Sequence, residues 1–99
     1  MVLKKLKRKD CRKYLRMEYE FPFPIENQTL NRLSVFGEPE IVPFSQFNPV
    51  SNDFFKIRNY EFALEITGTL NDHQLSVTFS KKEAEIVSYI ESELKSLAS

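Results

Sequence analysis

Eight cations stand in the first sixteen residues: Lys4, Lys5, Lys7, Arg8, Lys9, Arg12, Lys13 and Arg16, opposed there only by Asp10. Like charges at this density repel one another and gain nothing by burial, so the chemistry open to the segment is the binding of anions. The whole chain of 99 residues is formally neutral, and the residues after the basic run therefore carry a matching acidic excess. The run faces an external anion or folds back onto its own acidic body. A solvated tail that merely aids solubility is the competing reading. Of the eight, the arginines Arg8, Arg12 and Arg16 are equipped for more than attraction. A planar guanidinium donates paired hydrogen bonds to phosphates and guanine edges, and it stacks on base faces.

Catalytic chemistry is poorly supplied. His73 is the single histidine and falls in a stretch of turn-forming residues, where a solvated surface position is expected. Cys11 is the single cysteine, and a nucleophilic thiol needs a base beside it. One histidine and one cysteine cannot assemble a nitrogen and sulfur set for zinc. With only Gly37 and Gly68, the chain has no glycine-rich phosphate loop. No enzymatic activity, metal or resident cofactor is expected. A lone thiol fits a reducing compartment, and no apolar run follows the charged N-terminus, so a cytoplasmic protein without a signal peptide or membrane span is expected.

The elements that position these residues come from the hydrophobic pattern. Leu15, Met17, Tyr19 and Phe21 alternate with polar residues and predict a half-buried strand, stopped by Pro22 and Pro24, which lack the N–H of a sheet ladder. Ile25 to Gln28 reads as a turn. Residues 29–51 read as short edge strands or loops, with apolar pieces at Leu33–Phe36 and Ile41–Phe44, and Phe54–Ile57 as another short strand. Tyr60, Phe62, Leu64 and Ile66, then Leu75, Val77 and Phe79, predict an antiparallel hairpin turning over Gly68–His73. Ser80-Lys81-Lys82-Glu83 has the form of a capping box, opening a helix over about 81–97 whose apolar stripe is Val87, Ile90, Leu94 and Leu97. The expected architecture is mostly β: a basic arm over residues 1–11, then one domain over 12–99, a small antiparallel β-barrel or roll sealed by a C-terminal amphipathic helix.

The stretch from Arg12 through Arg16 to Pro22 resembles the opening of a PilZ domain, in which an RxxxR pair leads directly into an alternating first strand. The far end, HQLSVTFSKKEAEIVSYIESEL, is similar to that family's last strand and C-terminal helix. The resemblance implies a six-stranded antiparallel barrel that binds cyclic di-GMP, a bacterial second messenger, with Arg12 and Arg16 on phosphates and guanine faces and Arg8 assisting. The family's second motif, (D/N)xSxxG, has its counterpart in Arg32-Leu33-Ser34-Val35-Phe36-Gly37, so Ser34 and Gly37 would shape the second wall. Arg32 stands where the family has an acidic or amide acceptor. Loss of one such base-edge contact costs about 1–3 kcal/mol. The function implied is thus a regulatory cyclic di-GMP receptor, or a member that has lost the ligand and acts through a protein partner. An alternative from the basic run alone is a small nucleic-acid-binding or ribosome-associated protein whose cations follow phosphates.

Overall fold

Alternating side chains put two of the expected strands side by side. In the computed structural model, which describes residues 3–43, 52–81 and 83–98, the order is β1 (Lys4–Asp10), β2 (Leu15–Glu20), α1 (Asn27–Leu33), β3 (Pro39–Val42), β4 (Phe54–Asn59), β5 (Leu64–Thr69), β6 (Gln74–Phe79) and α2 (Ala84–Leu97). All six strands join one antiparallel sheet in the order β1-β2-β6-β5-β4-β3.

One face of the sheet is apolar. Leu15, Met17 and Tyr19 of β2, Leu75, Val77 and Phe79 of β6, Leu64 and Ile66 of β5, and Phe55 and Ile57 of β4 are all buried in one core. Leu30 and Leu33 from α1 and Ile90 and Leu94 from α2 close over it. Burial of side chains such as Ile90 and Leu94 is worth about 1.5–3 kcal/mol each, enough to dock a helix whose propensity alone would not hold it.

The other face carries Arg16 and Glu18 (β2), Ser76 and Thr78 (β6), Glu65 and Thr67 (β5), and Lys56 and Arg58 (β4), all half-buried or exposed. The expected barrel does not form: the sheet is open, with β1 and β3 at its two edges. Closure would serve to bury an inner face and remove edges. Here two helices already bury the apolar face, and the edge strand β1 has the sequence KKLKRKD, whose charges guard it against pairing with another chain.

Four boundaries differ from the sequence expectation. Residues 27–33, read as turn and loop, form the helix α1; Glu26 is its N-cap, and the Glu26 N–H donates to Thr29 Oγ1 at 3.4 Å. Tyr60 to Ala63, read as the start of a strand, are the β4–β5 turn. Asn59 Oδ1 accepts from the Phe62 N–H at 2.8 Å, and Ala63 takes the left-handed conformation at φ 53°. That side-chain bond substitutes for a strand pairing and turns the chain. The next strand then runs on to Thr69, so the β5–β6 turn is tighter than Gly68–His73, with Asn71 at φ 68°. Finally, α2 starts at Ala84 with Glu83 as N-cap, and the Ser80 box is not used. The Ser80 N–H is still bonded to the Ala63 carbonyl at 2.9 Å, prolonging the β5–β6 pairing by one step. The last eight residues of the 29–51 expectation, 44–51, lie outside the described residues.

Candidate anion-binding site

The basic run is not held apart from the sheet. Lys4–Asp10 pair along the whole of β2, and all seven residues are exposed. Strict alternation would send Lys5, Lys7 and Lys9 to the same side. A bulge between Lys5 and Lys7 breaks the alternation: Lys5 stands opposite Tyr19, whereas Lys7 stands opposite Glu18 and Lys9 opposite Arg16. One extra residue re-aims every side chain on one side of it. Lys5 and Arg8 therefore lie on the helix side, with Tyr19 and Met17, and Lys7 and Lys9 lie on the open face.

On the helix side the consequence is a clasp. Lys5 Nζ is 2.8 Å from Glu91 Oε1 of α2, and the buried Tyr19 hydroxyl donates to that oxygen at 2.9 Å. Burial pushes the Glu91 carboxyl up, but the hydrogen bonds from Lys5 and Tyr19 and the charges of Lys5 and Lys95 outweigh it and hold the group below the usual carboxylate range. Burial first, then the bond to Glu91, raise the Tyr19 phenol far above its ordinary value.

On the open face Lys7, Lys9, Arg16 and Glu18 line one cleft. Arg16 Nη2 donates to Ser76 Oγ at 3.3 Å, which fixes the guanidinium over β6. Arg8 points the other way and lies 3.9 Å from Asp10. Arg12 sits exposed in the turn between β1 and β2, which the Cys11 N–H closes by bonding the Tyr14 carbonyl at 2.9 Å. A hydrogen bond with the Cys11 thiol raises the Tyr14 phenol.

Of the residues expected to form a site, the structure gathers Arg8, Arg12 and Arg16 on one hairpin and leaves Ser34 and Gly37 elsewhere. Ser34 is the C-cap of α1, and its hydroxyl bonds the Asn31 carbonyl. Gly37 lies against the backbone of Arg58 on β4. From β2 to β4 is three strand spacings, about 14 Å. Arg32 is exposed beside Phe23, Glu26 and Thr29, away from the open face.

A second cleft joins the same face at its far side, lined by Arg58, Asn59, Tyr60, Glu65, Thr78 and Ser80. Tyr60 is 85% exposed. Arg58 Nε donates to Glu65 Oε2 at 3.2 Å; hydrogen bonds to Tyr60 and Glu65, then the charges of Glu65 and Glu40, raise the guanidinium pKa further. Sequence reasoning missed this ring because it shares parity with Phe62 and Leu64. The preceding Asn59, a turn former, was the available signal.

Among the described residues no three histidine, cysteine or carboxylate side chains are grouped to hold a metal, and no helix is long and apolar enough to cross a membrane. Compared with protein-family models, curated proteins and solved structures, the chain matches none.

Proposed function

We propose that this chain is a non-catalytic binding module that takes a phosphodiester on the β1–β2 hairpin. The observation that carries the reading is the register of that hairpin, which sets Lys7, Lys9 and Arg16 around one cleft on a rigid strand pair. Cations fixed by backbone pairing have already given up the freedom that a tail would lose on binding.

Two ligands of this chemistry are in play. Cyclic di-GMP is the one the PilZ resemblance implies, and the presence of Arg12 and Arg16 on one hairpin supports it; a protein partner would then read the bound state. A nucleic acid is favoured by a different observation. The guanine-gripping wall expected from Ser34 and Gly37 is not on the hairpin, since Ser34 caps α1 and Gly37 lies against β4, three strands away from β2, while Lys7 and Lys9 repeat along the strand at about 6.7 Å, a spacing suited to successive phosphates of one chain.

Isothermal calorimetry decides between them. Binding of cyclic di-GMP that vanishes when Arg12→Ala and Arg16→Ala are combined supports the receptor. Binding of an oligonucleotide, weakened steeply by salt and unaccompanied by cyclic di-GMP binding, supports the nucleic-acid reading. If neither ligand gives heat up to high micromolar concentration, the module does not bind phosphodiesters, and the cations of β1 serve only to guard the sheet edge.

A further inference from the structure

The open sheet face continues well past the cleft at β1 and β2. Its register rows can be followed across the sheet: Lys9 faces Arg16, Arg16 faces Thr78, Thr78 faces Glu65 and Glu65 faces Arg58; in the next row Lys7 faces Glu18, then Ser76, Thr67 and Lys56. The floor between the cationic ends carries the hydroxyl side chains of Ser76, Thr78 and Thr67 together with the carboxylates of Glu18 and Glu65. It presents hydrogen-bond donors and acceptors. Both helices lie on the opposite face, with the core.

Two residues past Arg58, in the β4–β5 turn, Tyr60 is 85% exposed and lines one cleft with Arg58, Glu65 and Thr78. An exposed aromatic ring beside a guanidinium is a stacking position for a nucleobase, since every base has a π-face and arginine adds a cation–π contribution. Lys7 and Lys9 on β1 and Arg58 on β4 lie four strand spacings apart, about 19 Å, which a run of about four nucleotides covers. Of the acidic residues on this face, Glu65 is paired with Arg58, and Glu18, Glu20 and Glu40 stand in register with Lys7, Lys4 and Lys56.

We propose that the uncovered face of the sheet is a platform for single-stranded nucleic acid, with phosphates on Lys7, Lys9 and Arg16 and a base stacked on Tyr60. The assignment rests on the reading that the β1–β2 hairpin binds phosphodiesters, and it adds strandedness, direction across the sheet and the stacking residue. A duplex keeps its bases stacked on one another and offers Tyr60 nothing to stack on.

The test is fluorescence anisotropy with a labelled thymidine octamer and the corresponding duplex, on the full chain. Three phosphate contacts on a single strand predict a log–log salt slope of about −2, an affinity loss of about twentyfold between about 50 and 200 mM salt. Tyr60→Ala is expected to weaken the octamer about five- to 150-fold, and Tyr60→Phe, which keeps the ring, to leave it nearly unchanged. Lys9→Glu should weaken binding and flatten the slope, whereas Arg8→Glu, the same charge change one residue away on the helix side, should do much less. Circular dichroism shows that each variant keeps its fold before it is compared.

Equal losses from Lys9→Glu and Arg8→Glu would mean diffuse attraction to the basic run and would overturn the platform. So would indifference to Tyr60→Ala, or a duplex bound as tightly as the single strand. Cyclic di-GMP binding without octamer binding sinks the platform and leaves the phosphodiester reading standing; binding of neither sinks both.

Discussion

The Tyr19 hydroxyl donates to Glu91 Oε1 at 2.9 Å, across 72 residues of chain, and Lys5 Nζ meets the same oxygen at 2.8 Å. This contact ties the edge of the sheet to the helix that covers it. Tyr19 is 1% exposed, so its hydroxyl has few alternative partners. Tyr19→Phe removes donor and bond together and is expected to cost about 0.5–1.5 kcal/mol, whereas Glu91→Ala strands the donor and should cost about 1–3 kcal/mol. Lys5 is half exposed, and Lys5→Met should cost no more than about 1 kcal/mol. Urea unfolding of the three variants checks the order.

The same clasp gives stability a dependence on pH at both ends of the scale. Glu91 titrates below an unfolded glutamate, whose pKa is about 4.3. Its contribution is therefore complete above that value and is lost as pH falls through the lower folded one. The urea midpoint is expected to fall between about pH 5 and pH 3, and less steeply in Glu91→Gln than in the parent. Tyr19 behaves in the opposite sense. Its raised phenol adds stability that is full below about pH 10 and drains away above it. In an ultraviolet titration, one tyrosine should ionise only as the fold opens.

Gly37 tests whether the Ser34-x-x-Gly37 spacing belongs to a ligand wall or to packing. A Cβ there would collide with the Arg58 carbonyl oxygen and stand 3.2 Å from Ile57 Cγ2. Neither the β4 backbone nor the fully buried Ile57 can step aside freely. Gly37→Ala is expected to destabilise the fold by about 1–3 kcal/mol while phosphodiester affinity, measured where the variant is still folded, stays the same. A loss of affinity at unchanged stability would return the glycine to the binding site.

How much of this was legible depends on where the burial signal lies. Strands β2 and β6 were readable because Leu15, Met17 and Tyr19, and Leu75, Val77 and Phe79, bury alternate positions, and alternation is the signal that sequence carries. Strand β1 buries nothing, so KKLKRKD reads as an arm. Its pairing comes from the backbone and from Lys5 reaching Glu91. Helix α1 is seven residues with Glu before Thr at its cap, the reverse of the usual box, too short for a periodic stripe. The closed barrel was an inference from the order of strands followed by one terminal helix and from the PilZ resemblance. Which strands lie at the edges depends on pairings between residues as far apart as Arg16 and Thr78, and no local pattern encodes those. Arg8, Arg12 and Arg16 were found by residue type and by the RxxxR spacing of the PilZ resemblance; the division of their faces required the bulge at Leu6, which leaves no mark in composition.

The charges of β1 also have a purely structural role that can be measured. An edge strand presents unpaired N–H and C=O groups, and lysines on it repel a second edge. Replacing Lys4, Lys7 and Lys9 together by Thr keeps a strand-forming sequence and removes that repulsion. Their side chains are exposed, and the Lys5 clasp is left intact, so the monomer fold should persist by circular dichroism. Size-exclusion chromatography is expected to show dimers or larger species that grow with protein concentration. Restoring Lys7 alone should shift the distribution back toward monomer, because Lys7 lies mid-strand just past the bulge, where one charge reaches the longest stretch of the edge. A triple variant that stays monomeric at every concentration would show that the bulge with the remaining Lys5 and Arg8 protects the edge, and the cations of the open face would then have no structural reason to be there.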